Sequence, residues 1–450
     1  MSLKSLLLTL AVITCCSQFT FSEEGSRPAA VFKAGYAEVN ITPATGITMP
    51  GYFTERRATG VLDPLLSKTL VLSLNNTTLA IIALDLIGVE APMVQKIREE
   101  VERWTGIEEH HIFVHATHTH TGATVSEIAH QLPKQVAESV KQALDRMAPV
   151  QTLKHGVSQE NNIAFIRRYL MKDGTVRTNP GTGNPEIVRP IGEIDPNVHV
   201  ISFEGIKTLL VSYNLHPDCI GGTQFSADFP YHMTRMIKEK MGQDWNVIYL
   251  NACCGNINHI DVKNPDQLRG YEGSRHIGHK LAQSALRALD TAREIDSATL
   301  CVKSRLVPTD VRPVPDEMLQ WAKLQMEQNP QEAGTRKFNE QTPALILKLA
   351  ERKGQSVPME VMAVRIGGLA LVGLPAEVFT EVAQDIKLHS LMDPVLVIGT
   401  TNGYAGYVPH HRGYAEGGYE ATYGSARWCP QTPIRWSEAA ISLVNELSGM

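Results

Sequence analysis

The segment His111–Gly122, HIFVHATHTHTG, places four histidines within twelve residues. In a strand, successive side chains alternate between faces, so His118 and, in a longer strand, His120 share the segment's apolar face. That face carries Ile112, Val114 and Ala116. Two interpretations remain open: a metal site at the end of a buried strand, or buried hydrogen-bonded structural histidines. We expect the remaining histidines nearby to be solvated: His110, His111 and His115.

Other strand-like segments also end in residues that bind metals or move protons. TLLVSYNL leads to His216 in HPD, LALVGL leads to Glu377 in LPAE, and LAIIAL leads to Asp85. The carboxyl ends of strands are where α/β sheets usually place their sites. Two histidines and one carboxylate from separate strands form a common catalytic zinc set, which leaves a position for water. The alternative for Glu377 is a carboxylate stabilised at a helix N-terminus.

The elements that must position these residues alternate along the chain. Strand-like runs lie at 69–74, 79–84, 111–117, 208–215, 246–251, 360–366, 369–374 and 394–401. Helical periodicity marks 91–104, 133–147 and 273–292, and 313–341 predicts a helical insertion. The Gly- and Pro-rich stretch 171–196 predicts a long surface loop. This pattern predicts a mixed α/β fold in which largely buried mixed β-sheets are flanked by helices.

Composition excludes some partners. The chain is 43% hydrophobic and 20% charged, with a formal net charge of −5. This balance provides no basic field for nucleic acid and no polybasic membrane patch. After residue 30 no apolar run is long enough to cross a bilayer. We expect one domain over residues 23–450; the sequence does not determine the oligomeric state.

The first 22 residues have the pattern of a secretory signal. Lys4 precedes a short apolar centre, LLLTLAVITCC, and a polar exit follows. We therefore expect a secreted or periplasmic protein that begins near Glu23; a buried first helix is the alternative. A lipoprotein anchor at Cys15 or Cys16 is a further, weaker alternative. The five later cysteines do not form a disulfide framework, and most are expected to be small buried residues.

Several segments together resemble one known family. They are ATHTHTGA, NLHP, SADFP, GLPAE, and YAGYV followed by YEATYG. In this order they resemble the signature segments of the catalytic domain of neutral (non-lysosomal) ceramidases, and AGYAEVNITPATGITMPGY is similar to the amino-terminal strand of that domain. The resemblance covers residues 32–425 and implies a ceramidase-like catalytic domain, corresponding only to the amino-terminal part of those enzymes.

The resemblance also implies roles for particular residues. It implies four zinc ligands: His118, His216, Glu377 and Tyr407. It further implies that His120 orients a ligand or transfers protons, that Tyr419 donates a hydrogen bond to the developing oxyanion, and that Arg167, next to Arg168, corresponds to an arginine of the family.

One position departs from the family's pattern. Ceramide-cleaving members carry a serine in a G-D-V-S-P-N segment, whereas this chain reads GNINHI, with Asn258 in place of the serine. Asparagine can donate a hydrogen bond but cannot act as a nucleophile. Cys253 or Cys254 could supply a thiol instead; the alternative is that both are small buried residues. We expect zinc-activated water to attack directly, with Asn258 orienting the substrate.

The resulting prediction is an exported zinc-dependent amidohydrolase that acts in sphingolipid metabolism. Its substrate would be an N-acyl amide, either a ceramide-like lipid or a related acyl compound. One alternative is a zinc hydrolase of a non-lipid substrate, such as an acylated sugar or a peptide-like amide. Another is a catalytically inactive binding protein that keeps the pocket.

Overall fold

Three β-sheets organise the chain in the computed structural model, which describes residues 31–450. The predicted signal segment, residues 1–22, and its two cysteines lie outside the described residues. The first sheet has the strand order Ile112–Ala116, Thr77–Leu84, Leu66–Leu74, Lys33–Asn40 and Ala148–Pro149. The second has the order Asn246–Asn251, Thr208–Tyr213, Asn197–Glu204, Thr152–Gln159 and Arg293–Glu294. The third has the order Val395–Ile398, Leu369–Gly373, Ser356–Ile366 and Leu300–Asp310.

The three sheets share one topology. In each, three successive strands pair antiparallel, and a helix then carries the chain to a fourth strand that pairs parallel with the third. The crossover helices are Ala91–Thr105, Phe229–Met241 and Thr380–His389. A second long helix follows each parallel strand: Leu132–Asp145, Gly270–Asp290 and Thr432–Ser448. The topology therefore repeats three times, although the sequence shows no fixed-period repeat.

The inner faces of the three sheets pack against one another in a central core. This core contains Leu72, Ile81 and Phe113 from the first sheet, Phe203, Leu210 and Ile248 from the second, and Val364, Leu371 and Leu396 from the third. The outer faces pack against the crossover and following helices. Because strand side chains alternate, Leu72 points to the central core while Val71 points to the helices. Strands buried on both faces explain the continuous apolar runs in the sequence.

Smaller elements complete the described chain. The short strands are Thr48–Met49, Arg56–Arg57, Gly60–Val61, Phe165–Ile166, Arg168–Met171, Val176–Thr178, Ile187–Pro190, Gln224–Phe225, Ile257–Asn258, Glu377–Val378 and Tyr407–Val408. The remaining helices are Glu109–His111, Val125–Ile128, Asp316–Gln328, Pro330–Gly334, Pro343–Ala350, Gly413–Glu416 and Tyr419–Ala421. Among the residues described, no helix combines the length and apolarity needed to cross a membrane.

The structure confirms the predicted mixed α/β class and corrects some details. The strand predicted at 111–117 ends at Ala116. The predicted loop 171–196 contains two short strands, Val176–Thr178 and Ile187–Pro190, which pair with the strand before it. The predicted insertion at 313–341 contains two helices, and a third, Pro343–Ala350, follows directly.

His115 joins the three sheets where their parallel strands end. Its Nδ1 lies 3.0 Å from the carbonyl oxygen of Gly399, and its Nε2 accepts a hydrogen bond of 3.0 Å from the backbone of Asn251. The ring is fully buried, and burial lowers the pKa of His115 to about 3. The expectation that His115 is solvated was therefore wrong, because buried backbone groups here need a partner. His110, by contrast, is exposed.

Candidate active site

His118 lies in a turn that follows the first parallel strand. Its φ angle is 75°, in the left-handed region that costs a non-glycine residue about 1–3 kcal/mol. The strand therefore does not continue to His118 and His120. Their positions follow from the turn, and not from the alternation of strand faces that the sequence predicted. The turn brings the Nδ1 atom of His118 to 2.5 Å from the carbonyl oxygen of Ile87. A proton shared with this carbonyl leaves the other ring nitrogen, Nε2, free to act as a ligand.

Three imidazole nitrogens converge at this point. The Nε2 atom of His216 lies 3.1 Å from that of His118 and 3.0 Å from that of His120. All three side chains are buried. Burial lowers the pKa of His216 well below its usual value, and the positive charge of Arg167 acts in the same direction. His216 is therefore neutral, and a neutral ring nitrogen is a good metal ligand.

Glu377 brings a carboxylate to the same point. Its Oε2 atom lies 3.2 Å from His118 Nε2 and 3.6 Å from His216 Nε2, and within residues 31–450 this buried oxygen has no hydrogen-bond partner. Its Oε1 atom accepts a hydrogen bond of 2.7 Å from the Tyr404 hydroxyl. Burial raises the pKa of Glu377, but His118 and the hydroxyls of Tyr407 and Tyr404 outweigh it and lower the pKa to about 2. The side chain is therefore an anion.

Tyr407 lies beside Glu377 because their two-residue strands pair in parallel, with Glu377 opposite Tyr407. The side chain is 7% exposed, and the Arg167 guanidinium lies 5.3 Å from the ring centroid. Burial raises the pKa of Tyr407 well above its usual value, although Arg167 opposes the effect. The structure thus brings together all four residues that the resemblance names as ligands.

These donors fit a divalent transition metal. Imidazole nitrogens and a carboxylate are the ligands of catalytic zinc sites. The partnerless Oε2 of Glu377 supports the same interpretation, since a buried carboxylate oxygen costs free energy unless a proton or a cation satisfies it. A second group, Glu108, His110 and His111, also has closely spaced donor atoms, but it is largely exposed. The buried group is the candidate metal centre.

The turn that contains Asn258 packs behind Glu377. A Cβ atom added to Gly255 would lie 2.6 Å from the carbonyl oxygen of Glu377, so only glycine allows this approach. The amide nitrogen of Asn258 donates a hydrogen bond of 2.6 Å to the side-chain oxygen of Asn179. Its amide oxygen accepts a hydrogen bond of 3.0 Å from the backbone N–H of Ile260. Asn258 is not among the residues that line the cavity described below.

Arg167 lies in a buried ion-pair network beside the candidate centre. Its Nε donates a hydrogen bond of 2.7 Å to the carboxylate of Glu420. A terminal nitrogen of its guanidinium donates a hydrogen bond of 2.8 Å to the carbonyl oxygen of Gly255. Glu420 is fully buried and also accepts 2.6 Å from Thr178. Arg168, the neighbouring residue, lies 3.6 Å from the same carboxylate. Arg167 therefore fixes the turn of Gly255 and the ring of Tyr407.

A cavity of about 390 Å³ opens onto the candidate centre, and His120, Glu377 and Tyr407 form part of its wall. Tyr419 also lines it. The Tyr419 oxygen accepts a hydrogen bond of 2.9 Å from Arg336, which leaves its own proton free to be donated. Burial raises the pKa of Tyr419, so the hydroxyl remains a donor at neutral pH.

The sequence did not identify several residues that hold this site. Tyr404 bonds Glu377, and Arg336 bonds Tyr419. Asp218 lies 3.6 Å from His120 Nδ1 and accepts 2.7 Å from Tyr52. Two of them had a local signal, because Tyr404 is the first tyrosine of YAGY and Asp218 ends HPD. Tyr52 ends the segment AGYAEVNITPATGITMPGY, which did not suggest a role for it, and Arg336 had no signal at all.

Comparisons with known proteins show the fold. No protein-family profile and no curated protein matches the sequence. The chain is similar in structure to neutral ceramidase from Pseudomonas aeruginosa, with a TM-score of 0.72 at 18% identity over 93% of this chain and 75% of the other. A ceramidase complexed with C2 gives a TM-score of 0.73 at 17% identity over 93% and 76%. The predicted neutral ceramidase-like fold is therefore confirmed.

Proposed function

We propose that this protein is a zinc-dependent hydrolase of N-acyl amides. The observation that carries the proposal is the convergence of three imidazole nitrogens at the end of a cavity, with Oε2 of Glu377 within 3.6 Å of two of them, His118 and His216. The neutral ceramidase-like fold supports an amide substrate, since the two similar solved structures described above are ceramidases. We assign His118, His216, Glu377 and Tyr407 as zinc ligands.

Zinc bound here would polarise the acyl carbonyl and lower the pKa of a water molecule to about 7. The residues of the chain then have separate tasks. Tyr419 donates a hydrogen bond to the oxyanion that develops on the carbonyl oxygen, because its oxygen accepts from Arg336 and its own proton is free. His120 lies at the cavity wall with Asp218 behind its Nδ1, an arrangement that suits proton transfer between water and the leaving amine.

A panel of N-acyl substrates, assayed with and without chelator, tests the proposal. We expect release of free fatty acid from at least one N-acyl amide, loss of this activity after chelation, and recovery when zinc is added back. Hydrolysis of an acylated sugar but not of N-acyl amides would favour a different hydrolase. Tight substrate binding without any turnover by the zinc-loaded protein would favour the inactive binding protein.

The cysteines near the site are not expected to act as nucleophiles. Cys253 and Cys254 are both buried, and burial raises the pKa of Cys254 to about 12. A thiol with such a pKa contains almost no thiolate at neutral pH, and the thiolate is the reactive form. Replacement of each cysteine by alanine should therefore leave turnover within about threefold of the original value, since only packing changes.

Mass spectrometry during turnover provides the decisive comparison for the cysteines. A trapped acyl-cysteine, or complete loss of turnover with zinc still bound, would contradict direct attack by water. Asn258→Ser is the matched variant, because serine restores the family's residue at a position close to Cys254. Because Asn258 lies outside the cavity wall and bonds Asn179, we expect the variant to change substrate preference only indirectly, through that contact, and to create no new activity.

We also propose that the protein is exported. The proposal rests on residues 1–22, with their basic start, short apolar centre and polar exit. Protein isolated from its native host should begin near Glu23 and occur in a secreted or periplasmic fraction, as checked by amino-terminal sequencing. An intact Met1 on cytoplasmic protein would contradict export, and lipid on Cys15 or Cys16 would indicate an anchored form instead.

A further inference from the structure

Four cationic side chains line the cavity that opens onto the candidate metal centre: Arg336, Lys348, Arg352 and Arg427. Within residues 31–450, none of these four forms a salt bridge with a carboxylate, whereas Arg57 and Lys337 outside the cavity do. Glu377 is the only acidic residue that the described part of the chain places in the cavity wall, and its Oε2 faces the imidazoles. The cavity therefore carries an excess of positive charge.

The hydrogen bonds of these side chains leave most of their donors unused. Arg427 donates a hydrogen bond of 3.3 Å to the carbonyl oxygen of Ala405, and Arg352 donates one of 3.2 Å to the amide oxygen of Gln355. Arg336 donates to the Tyr419 hydroxyl and, at 3.0 Å, to the Ser425 hydroxyl. A guanidinium has five N–H donors, and none of these acceptors carries a charge. Arg336, Arg352 and Arg427 are partly buried, whereas Lys348 is exposed. Partly buried guanidinium groups without a counter-charge are costly, and a bound anion would remove that cost.

The cations are close enough to influence one another. Burial lowers the pKa of Arg427, and the positive charges of Arg352 and Arg336 lower it further, while Tyr404 and Glu90 act in the opposite direction. Arg336 belongs to the insertion predicted at 313–341, and Lys348 and Arg352 lie in and just after the helix Pro343–Ala350 that follows it. The insertion and the helix that follows it therefore contribute three of the four cations in the cavity wall.

We propose that the substrate is an N-acyl amide that carries an anionic oxygen group, such as the carboxylate of an N-acyl amino acid. This inference rests on the proposed hydrolase function and names its substrate class. Arginine binds carboxylate, sulfonate and phosphate groups through paired hydrogen bonds. Phe53, Leu345 and Leu349 provide an apolar wall for the acyl chain. A volume of about 390 Å³ suits one small amphiphile.

Binding to matched probes tests the inference without turnover. The probes are N-octanoylglycine and N-octanoyltaurine, which are anionic, and N-octanoylglycinamide, which is neutral and of nearly the same size. In calorimetry on the zinc-chelated full chain, we expect the anionic probes to bind at least tenfold more tightly, as expected for charge-assisted hydrogen bonds. Arg352→Gln and Arg427→Gln should each reduce this preference severalfold. Lys353→Gln is the control, since Lys353 is exposed and outside the cavity wall.

Equal affinity for the three probes would overturn the inference. So would an equal loss of preference in the Lys353→Gln variant, because the effect would then come from overall charge. Binding to vesicles with phosphatidylglycerol, lost in the arginine variants and without any probe preference, would assign the cations to a membrane surface. Zinc-loaded protein that hydrolyses the neutral probe with no anion preference would overturn this inference alone. A retained anion preference with no hydrolysis of any probe would support the anion site and refute the hydrolase.

Discussion

Replacing His118 or His216 by alanine is expected to remove bound zinc from the protein. Each imidazole is one of the converging donors, and their Nε2 atoms lie 3.1 Å apart. Either substitution removes one of the two histidine ligands that we assign and leaves a single histidine with Glu377 and Tyr407, a weaker set for zinc. Metal analysis of purified protein should find about one zinc per chain originally and less than about a tenth of that in either variant. Hydrolysis should fall at least a thousandfold, since zinc supplies the activated water.

The exposed histidine cluster supplies the matched control for this experiment. His110 and His111 belong to a second group of closely spaced donors with Glu108. His110→Ala and His111→Ala remove the same chemical groups from the surface, so zinc content and turnover should stay unchanged. Full zinc occupancy in His118→Ala, or a loss of zinc in the His110 variant, would place the metal elsewhere. Circular dichroism of each variant separates loss of the metal from loss of the fold.

Glu420→Ala is expected to lower the free energy of unfolding by about 3–5 kcal/mol, because it removes the partner of a buried charge. Glu420 is fully buried and holds Arg167 at 2.7 Å and Arg168 at 3.6 Å. Both guanidinium groups are themselves almost fully buried, so neither can turn to water. Urea denaturation at neutral pH measures the change.

An exposed ion pair provides the comparison for Glu420. Glu55 bonds Arg57 at 2.8 Å, with side chains that are 66% and 58% exposed. Such pairs contribute no more than about 1 kcal/mol, so Glu55→Ala should change stability little. A similar decrease in the free energy of unfolding in both variants would mean that the buried ion pairs of Glu420 stabilise the fold no more than an exposed pair does. The unfolding experiments should be repeated with chelator, so that a change in zinc affinity is not mistaken for a change in packing.

Most residues of the candidate metal centre were accessible to sequence reasoning for a simple reason. His216 and Glu377 follow apolar strands directly, and strand ends gather at one edge of a sheet. The strand at 246–251 was predicted to the residue, because strands buried on both faces are continuous apolar runs. Tyr407 came only from the resemblance, since no local rule distinguishes it from Tyr404, three residues earlier. Their roles as ligands stay predictions until zinc is measured.

The local amino-acid pattern determined which segments are strands and helices, because burial imposes a period of two or 3.6 on each. It could not determine how His118 reaches the site, since a left-handed turn interrupts the strand. Nor could it show that His115 is buried, because its hydrogen-bond partners lie in the other two sheets. The same holds for Arg336 at Tyr419, a contact between residues 83 positions apart. Such contacts depend on how the three sheets and the insertion pack together, and only the tertiary structure decides that.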